Sequence, residues 1–242
     1  MQSAAMESAE YALMDQAEAS MWWYRALHTR LCDALADVRG GVLDAGCGTG
    51  GFLARLRTCR PDLMSFGIEW NQDAAVRARQ KSGAAVARGT LNALPFADAS
   101  FEAAVSADVL CHAAVDPAAA LLELRRVLKP GGRLLINMPA YQWLFSAHDR
   151  RVQNVRRLTA TATAAQVRDA GFGRVRAHYW NGLLLPLMVV QRKIVARGDA
   201  VSDVAPFPPW LDASLHRMTE LERRLPISLP AGGSVLAIAE KP

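Results

Sequence analysis

The sequence predicts an α/β fold, a mostly parallel sheet with helices on both faces. Three observations predict it. First, an apolar run ends in an acid at Val42-Leu43-Asp44 and passes into a glycine-rich turn, which opens into a helix at Phe52. Second, another short apolar run ends in an acid, Glu69, about 20 residues beyond that turn. Third, strand-like and helical runs alternate through most of the chain. Strand, glycine loop and helix together make the nucleotide end of a Rossmann-like unit.

The composition bounds the rest. The chain has 242 residues, half of them hydrophobic, enough for a sizeable core in one domain or two. No stretch approaches the ~18 consecutive apolar residues of a membrane span. No basic start followed by an apolar run marks a signal peptide. Cys32, Cys47, Cys59 and Cys111 are scattered without a CxxC pair, so reduced thiols and a cytoplasmic location are expected. No acidic or histidine cluster has ligand spacing, so no metal is expected. The net charge of +5 is modest and spread out, and no dense basic face for nucleic acid is expected.

In chain order, residues 6–38 read as helical: alanine-rich, apolar-periodic and free of proline. Met21-Trp22-Trp23-Tyr24-Arg25 lies inside them. Adjacent tryptophans cannot share a helix face. One of them therefore either packs on the sheet or loops, or covers a ligand site. Strand one is 42–45. The helix after the loop runs to about Arg60, where Pro61 stops it. Met64 to Glu69 is strand two, Asp73 to Lys81 a helix, and 84–88 a weak third strand.

Residues 100–106 make strand four, and Ala107-Asp108-Val109-Leu110-Cys111-His112 leave its C-terminal end. In open α/β sheets ligands bind in that crevice. Asp116 caps and Pro117 starts a helix to 128. Gly131-Gly132 turns into a strand at 134–137. A helix over 159–169, a strand at 174–180 and a last strand at 234–240 follow. The apolar stretch 183–190, the prolines at 206, 208 and 209 and a helix at 211–224 lie between those two strands. That insertion reads as an acceptor lid, a dimer contact or a membrane-surface patch, and Pro186 argues against a long membrane helix.

The glycine spacing fits the dinucleotide fingerprint poorly. Gly46, Gly48, Gly50 and Gly51 bring the third glycine one residue early, and Asp44 sits in the turn. An acid there repels a pyrophosphate and suits a ligand carrying an ammonium group. The loop at 42–52, Glu69, the Leu94-Pro95-Phe96 turn and the Leu128-Lys129-Pro130-Gly131-Gly132 turn, in that order, resemble class I S-adenosylmethionine (SAM)-dependent methyltransferases over 42–140.

The resemblance implies a seven-stranded sheet with an antiparallel last strand, SAM as cofactor and S-adenosylhomocysteine as product. Asp44, Ala45, Gly46, Cys47 and Gly48 would line the methionine side, and Tyr24 and Arg25 would reach the SAM carboxylate. Glu69 would hold the ribose, with Trp70 as an adenine wall. Thr90, Leu91, Ser106 and Ala107 would approach the adenine and methionine edges. Thr90 stands where the family commonly has aspartate, and Glu102 replaces another.

The 139–151 loop resembles a bacterial small-molecule subgroup, although Asn154 and Leu158 depart from its usual histidine and tyrosine. Asn137-Met138-Pro139-Ala140-Tyr141 resembles an amino-methylating motif only by accident, because it follows the wrong strand. A base near neutral pKa assists transfer to a hydroxyl or activated carbon. His148 is the first candidate, oriented by Asp149, and His112 the second. Arg150, Arg151, Arg156 and Arg157 either hold an anionic acceptor or face solvent.

One methyltransferase domain is expected. It has a helical lid at 1–40, a SAM-binding core at 41–180, an insertion at 181–233 and a last strand at 234–242. The expected acceptor is a small, partly apolar metabolite, with oxygen, nitrogen and carbon acceptors left open and a homodimer compatible with the insertion. The rival readings are an RNA methyltransferase and a noncatalytic SAM-binding or partner protein.

Overall fold

The computed structural model describes residues 8–192 and 207–242. Met6 and Glu7 of the expected first helix, and residues 193–206 of the insertion, lie outside the described residues. The sequence segments condense into a seven-stranded sheet of order β3-β2-β1-β4-β5-β7-β6. The strands are β1 (Gly41–Ala45), β2 (Met64–Glu69), β3 (Ala85–Arg88), β4 (Phe101–Ala107), β5 (Leu128–Pro139), β6 (Gly173–Trp180) and β7 (Ser234–Glu240). The first five pair in parallel, and β7 runs antiparallel between β5 and β6.

Alternation along the strands feeds two cores. Leu43, Ala104, Leu134, Ile136, Val235 and Ala237 point to one face. Val42, Ala103, Val105, Leu135 and Leu236 point to the other. A strand buried on both faces needs this near-continuous apolar run. The helices α3 (Gly51–Cys59), α4 (Gln72–Ser82), α5 (Pro117–Val127) and α7 (Ala160–Asp169) carry the covering side chains. Asp116 caps α5 by accepting from the amides of Ala118 and Ala119, with Pro117 in its first turn.

The expected helix over 6–38 is broken. It divides into α1 (Ser8–Ala17) and α2 (Trp22–Ala34). Alanine richness supplies propensity on both sides, but each helix answers to a different neighbour. Asp15 and Glu18 pair with Lys81, and Asp15 with Arg77, which docks the first segment on α4. The second packs through Leu27, Leu31 and Leu35 onto the sheet core. A short α6 (Ala147–Arg151), α8 (Leu185–Val190) and α9 (Pro209–Arg224) complete the described chain.

The expectation of reduced thiols needs correcting at two of the four cysteines. Cys32 on α2 and Cys59 at the end of α3 form a disulfide across 27 residues. Cys47 and Cys111 are free and buried. Chain spacing carried no signal for the pair because helix packing brings it together.

Candidate functional site

Strand order reverses at β1, with β2 on one side and β4 on the other. At such a switch the connections leave in opposite directions and open a crevice at the C-terminal strand ends. A cavity of about 610 Å³ lies there, floored by Asp44, Glu69, Ala107 and Asp108. The glycine loop forms its nearest wall. Gly46 has φ +85°, and a Cβ on it would lie 2.5 Å from Val109. That conformation and that approach both require glycine. The amides of Gly46 and Cys47 donate to the Ile68 carbonyl, which ties the loop to β2.

One end of the cavity is acidic. The Glu69 carboxylate accepts from the amides of Gly48 and Asn71 and from the Tyr11 hydroxyl at 3.1 Å. Glu18 accepts from Thr49 and pairs with Lys81. Asp44 is buried beside both of them. Burial, reinforced by the charges of Glu18 and Glu69, pushes its carboxyl up to about 8. Burial also raises Glu69, against the opposing pull of its amide and hydroxyl donors. Three carboxyls and one nearby lysine suit a ligand that brings positive charge of its own.

The other end holds aromatic and apolar groups. Trp23 stacks on Trp180 with ring centroids 6.0 Å apart, while Trp22 packs with Leu184 and Leu215. The two tryptophans thus leave α2 in different directions, and both line the cavity with Met188 and Phe207. Among the described residues, the Trp22 Nε1 meets no hydrogen-bond partner, and neither does the Oδ1 of fully buried Asn181. Glu222 of α9 holds that corner by accepting the amides of Asn181, Gly182 and Leu183.

Asp108 stands between the two ends in the left-handed region, φ +55°. Asn137 donates to its Oδ1 at 2.9 Å, and the Trp180 Nε1 donates to the Asn137 Oδ1 at 2.8 Å. Burial pushes the Asp108 carboxyl up to about 6, opposed by the Asn137 bond and the charge of Arg157. A carboxyl so tuned can take a proton near neutral pH.

Most of the expected site residues meet in this cavity. Tyr24, Asp44, Gly46, Cys47, Gly48, Glu69, Trp70, Thr90, Leu91, Ala107, His112 and His148 all line it. Three do not. Arg25 turns away to pair with Asp212 of α9. Ala45 lies in the core, and Ser106 is fully buried in β4. Thr90 uses its hydroxyl to accept from the Asn92 amide.

The loop after β5 departs further from expectation. Asp149 does not orient His148. Its oxygens take Ser146, Asn154, Arg157 and Arg192 instead. Arg157 is buried on Asp149 and the Ala140 carbonyl. Arg156 donates to the carbonyls of Leu110, His112 and Val115. These two arginines are tied to groups of the protein itself rather than solvated, and Arg157 also lines the cavity. The ring of His112 rests on the backbone oxygens of Val152 and Asp108, and burial lowers its pKa.

Sequence reasoning missed Tyr11, Met14 and Glu18 of the α1 region, Asp108 and Asn181, all at the cavity. The charged residues among the first twenty are all acids, Glu7, Glu10, Asp15 and Glu18, and that bias is the one sequence signal for Glu18. Asp108 was visible only as an acid at a strand end. Among the described residues, no group of three His, Cys, Asp or Glu side chains is placed to hold a metal ion. No helix among them is long and apolar enough to cross a membrane.

Known proteins share this sequence pattern and this fold. A methyltransferase-domain family model matches residues 43–136. The ubiquinone/menaquinone biosynthesis C-methyltransferase of Paracoccus denitrificans is 30% identical over 194 residues, covering 66% of this chain and 76% of that one. An uncharacterised 37.1 kDa transposon protein of Streptomyces fradiae is 37% identical over 74% of this chain, which spans only 54% of that relative. In fold, the chain is similar to a SAM-dependent methyltransferase of Thermotoga maritima, described as a possible histamine N-methyltransferase. The TM-score is 0.62 at 21% identity, covering 97% of this chain and 96% of that one.

Proposed function

The chain belongs to the class I SAM-dependent methyltransferases, and on that premise we propose that it methylates a small, partly apolar metabolite. The observation that carries this reading is the two-ended cavity. A buried acidic end meets an end walled by Trp22, Trp23, Met188 and Phe207, with Asp108 between them. The cavity, about 610 Å³, falls within the range of small-molecule sites, roughly 300–1,000 Å³.

SAM supplies an activated methyl group on a sulfonium and carries an ammonium and a carboxylate. The acidic end fits that chemistry. Asp44, the buried acid, would hold the ammonium, and Glu69 would hold the ribose hydroxyls. Trp70, 61% exposed at the cavity mouth, provides a face for the adenine. Tyr24 would line the methionine side, while Arg25 is engaged by Asp212. The helix α1 is the lid of this end.

Asp108 is the proton acceptor in this reading, held in one orientation by Asn137. His148 lies on the cavity wall and orients the acceptor, and the Oδ1 of Asn181 offers it a hydrogen-bond acceptor. Positioning supplies much of the rate for such a displacement. Of the relatives, the quinone C-methyltransferase favours an acceptor with an apolar part.

The Tyr11 hydroxyl sits on the carboxylate assigned to the ribose. Tyr11→Phe is expected to tighten SAM binding about threefold to tenfold, because Glu69 then loses one competing donor worth about 1 kcal/mol. Calorimetric titration of both proteins checks it.

The activity is tested by incubating the protein with methyl-labelled SAM and host extract split into small-molecule, lipid, RNA and protein pools. Label in the small-molecule or lipid pool is expected. Label confined to RNA would replace the proposal. SAM binding without label in any pool would leave a binding protein.

A further inference from the structure

The outward face of α9 has a composition unlike the rest of the surface. Among the described residues, eight of the fourteen exposed large hydrophobic side chains fall within 183–227. Five of these are on α9 or just after it: Trp210 at 71% exposure, Ile227 at 62%, Leu221 at 58%, Met218 at 41% and Leu225 at 37%. On α9 the exposed positions are 209, 210, 214, 217, 218, 221 and 224, and exposed Leu225 follows its end. That is one stripe of a 3.6-residue helix. Arg217 and Arg224 lie seven residues apart along one edge of it.

The charges of α9 are sorted by side. All three of its acids turn inward. Asp212 accepts from the Trp22 amide and pairs with Arg25. Glu220 pairs with Arg223. Glu222 holds the amides of 181–183. The outward stripe therefore carries arginine and apolar groups with no acid. A helix serving only as a solvated lid has no need of this sorting, since an acid outside costs nothing. The apolar inner side of the same helix packs through Leu215 on Trp22, a wall of the cavity.

We propose that the outward stripe of α9, with Ile227 after it, docks this protein on an anionic lipid bilayer surface. An amphipathic helix lies in the plane of the interface with its apolar side chains among the acyl chains. Tryptophan suits the headgroup level, and arginine stems lie along the apolar layer while their guanidiniums meet phosphates. The net charge of +5 has the sign such a surface attracts. Docking in this pose sets the Trp22 wall of the cavity behind the helix that touches lipid. The inference rests on the surface alone and holds whatever the acceptor is.

Sedimentation with vesicles tests it. The probes are phosphatidylcholine vesicles with about one third phosphatidylglycerol, and phosphatidylcholine alone. The protein is expected to sediment with the first and not the second, and salt is expected to release it. Leu221→Glu and Arg217→Glu are each expected to weaken the partition about tenfold or more. Both side chains are exposed and outside the cavity, so SAM binding and melting temperature are expected to stay as in the parent. No sedimentation of the parent protein overturns the proposal, as does sedimentation that neither substitution weakens. A dimer that Leu221→Glu dissociates, without vesicle binding, assigns the stripe to a second copy of the chain instead.

Discussion

Asp44→Asn is expected to weaken SAM binding about a thousandfold, close to 4 kcal/mol, while leaving the sheet intact. Asp44 is buried at the end of β1 between Glu18 and Glu69, and its carboxyl is pushed up to about 8. At pH 7 the unliganded protein therefore keeps the proton on this group. A ligand ammonium beside it favours the carboxylate, so binding drives that proton off. Calorimetry in two buffers of different ionisation enthalpy is expected to read up to about one proton released per SAM at pH 7. The release is expected to shrink near pH 9 and to disappear in Asp44→Asn.

The same shift fixes a stability effect of opposite sign. The folded pKa lies above the unfolded value, so the folded state binds more protons between the two. Stability from Asp44 is then full below about pH 4 and is lost as pH rises through about 8. Asparagine removes that loss. Unliganded Asp44→Asn is expected to melt a few degrees higher than the parent at pH 9, at about 2–4 °C per kcal/mol for a chain of this size. Unchanged SAM affinity would overturn the placement of the cofactor ammonium. A lower melting temperature at pH 9 would overturn the electrostatic account.

Asp108→Asn is expected to lower kcat about a hundredfold to ten-thousandfold, the span of general base catalysis, with SAM affinity within about threefold. The parent kcat/KM is expected to fall below a pKa of about 6, where Asp108 takes up its proton. That acid limb is expected to vanish in Asp108→Asn. Asparagine keeps the size of the side chain and its bond to Asn137, so loss of the limb separates proton transfer from shape. His148→Ala is the control, expected to raise KM while the limb persists. A limb lost in His148→Ala and kept in Asp108→Asn would transfer the role of base to His148.

The architecture was legible in short stretches of the sequence. Apolar runs ending in Asp44 and Glu69 marked the C-terminal ends of β1 and β2, and the glycine turn between them marked the switch. The bounds 64–69 and 234–240 read from the sequence coincide with β2 and β7. Such signals are legible because strand alternation, capping at Asp116 and glycine backbone freedom each act over a few neighbouring residues.

Which side chains face the cavity depends on contacts between distant parts of the chain. Tyr11 reaches Glu69 across 58 positions, and Trp180 reaches Asn137 across 43. Arg25 meets Asp212 across 187 positions. Arg156 and Arg157 read either as holders of an anionic acceptor or as solvated charge, and only the fold shows carbonyls and Asp149 capturing them. Cys32 and Cys59 likewise meet only when α2 and α3 pack. An ionisable side chain has no periodicity to declare its partner. Its role depends on which distant groups share its low-dielectric surroundings, and the packing of helices on the sheet creates those surroundings.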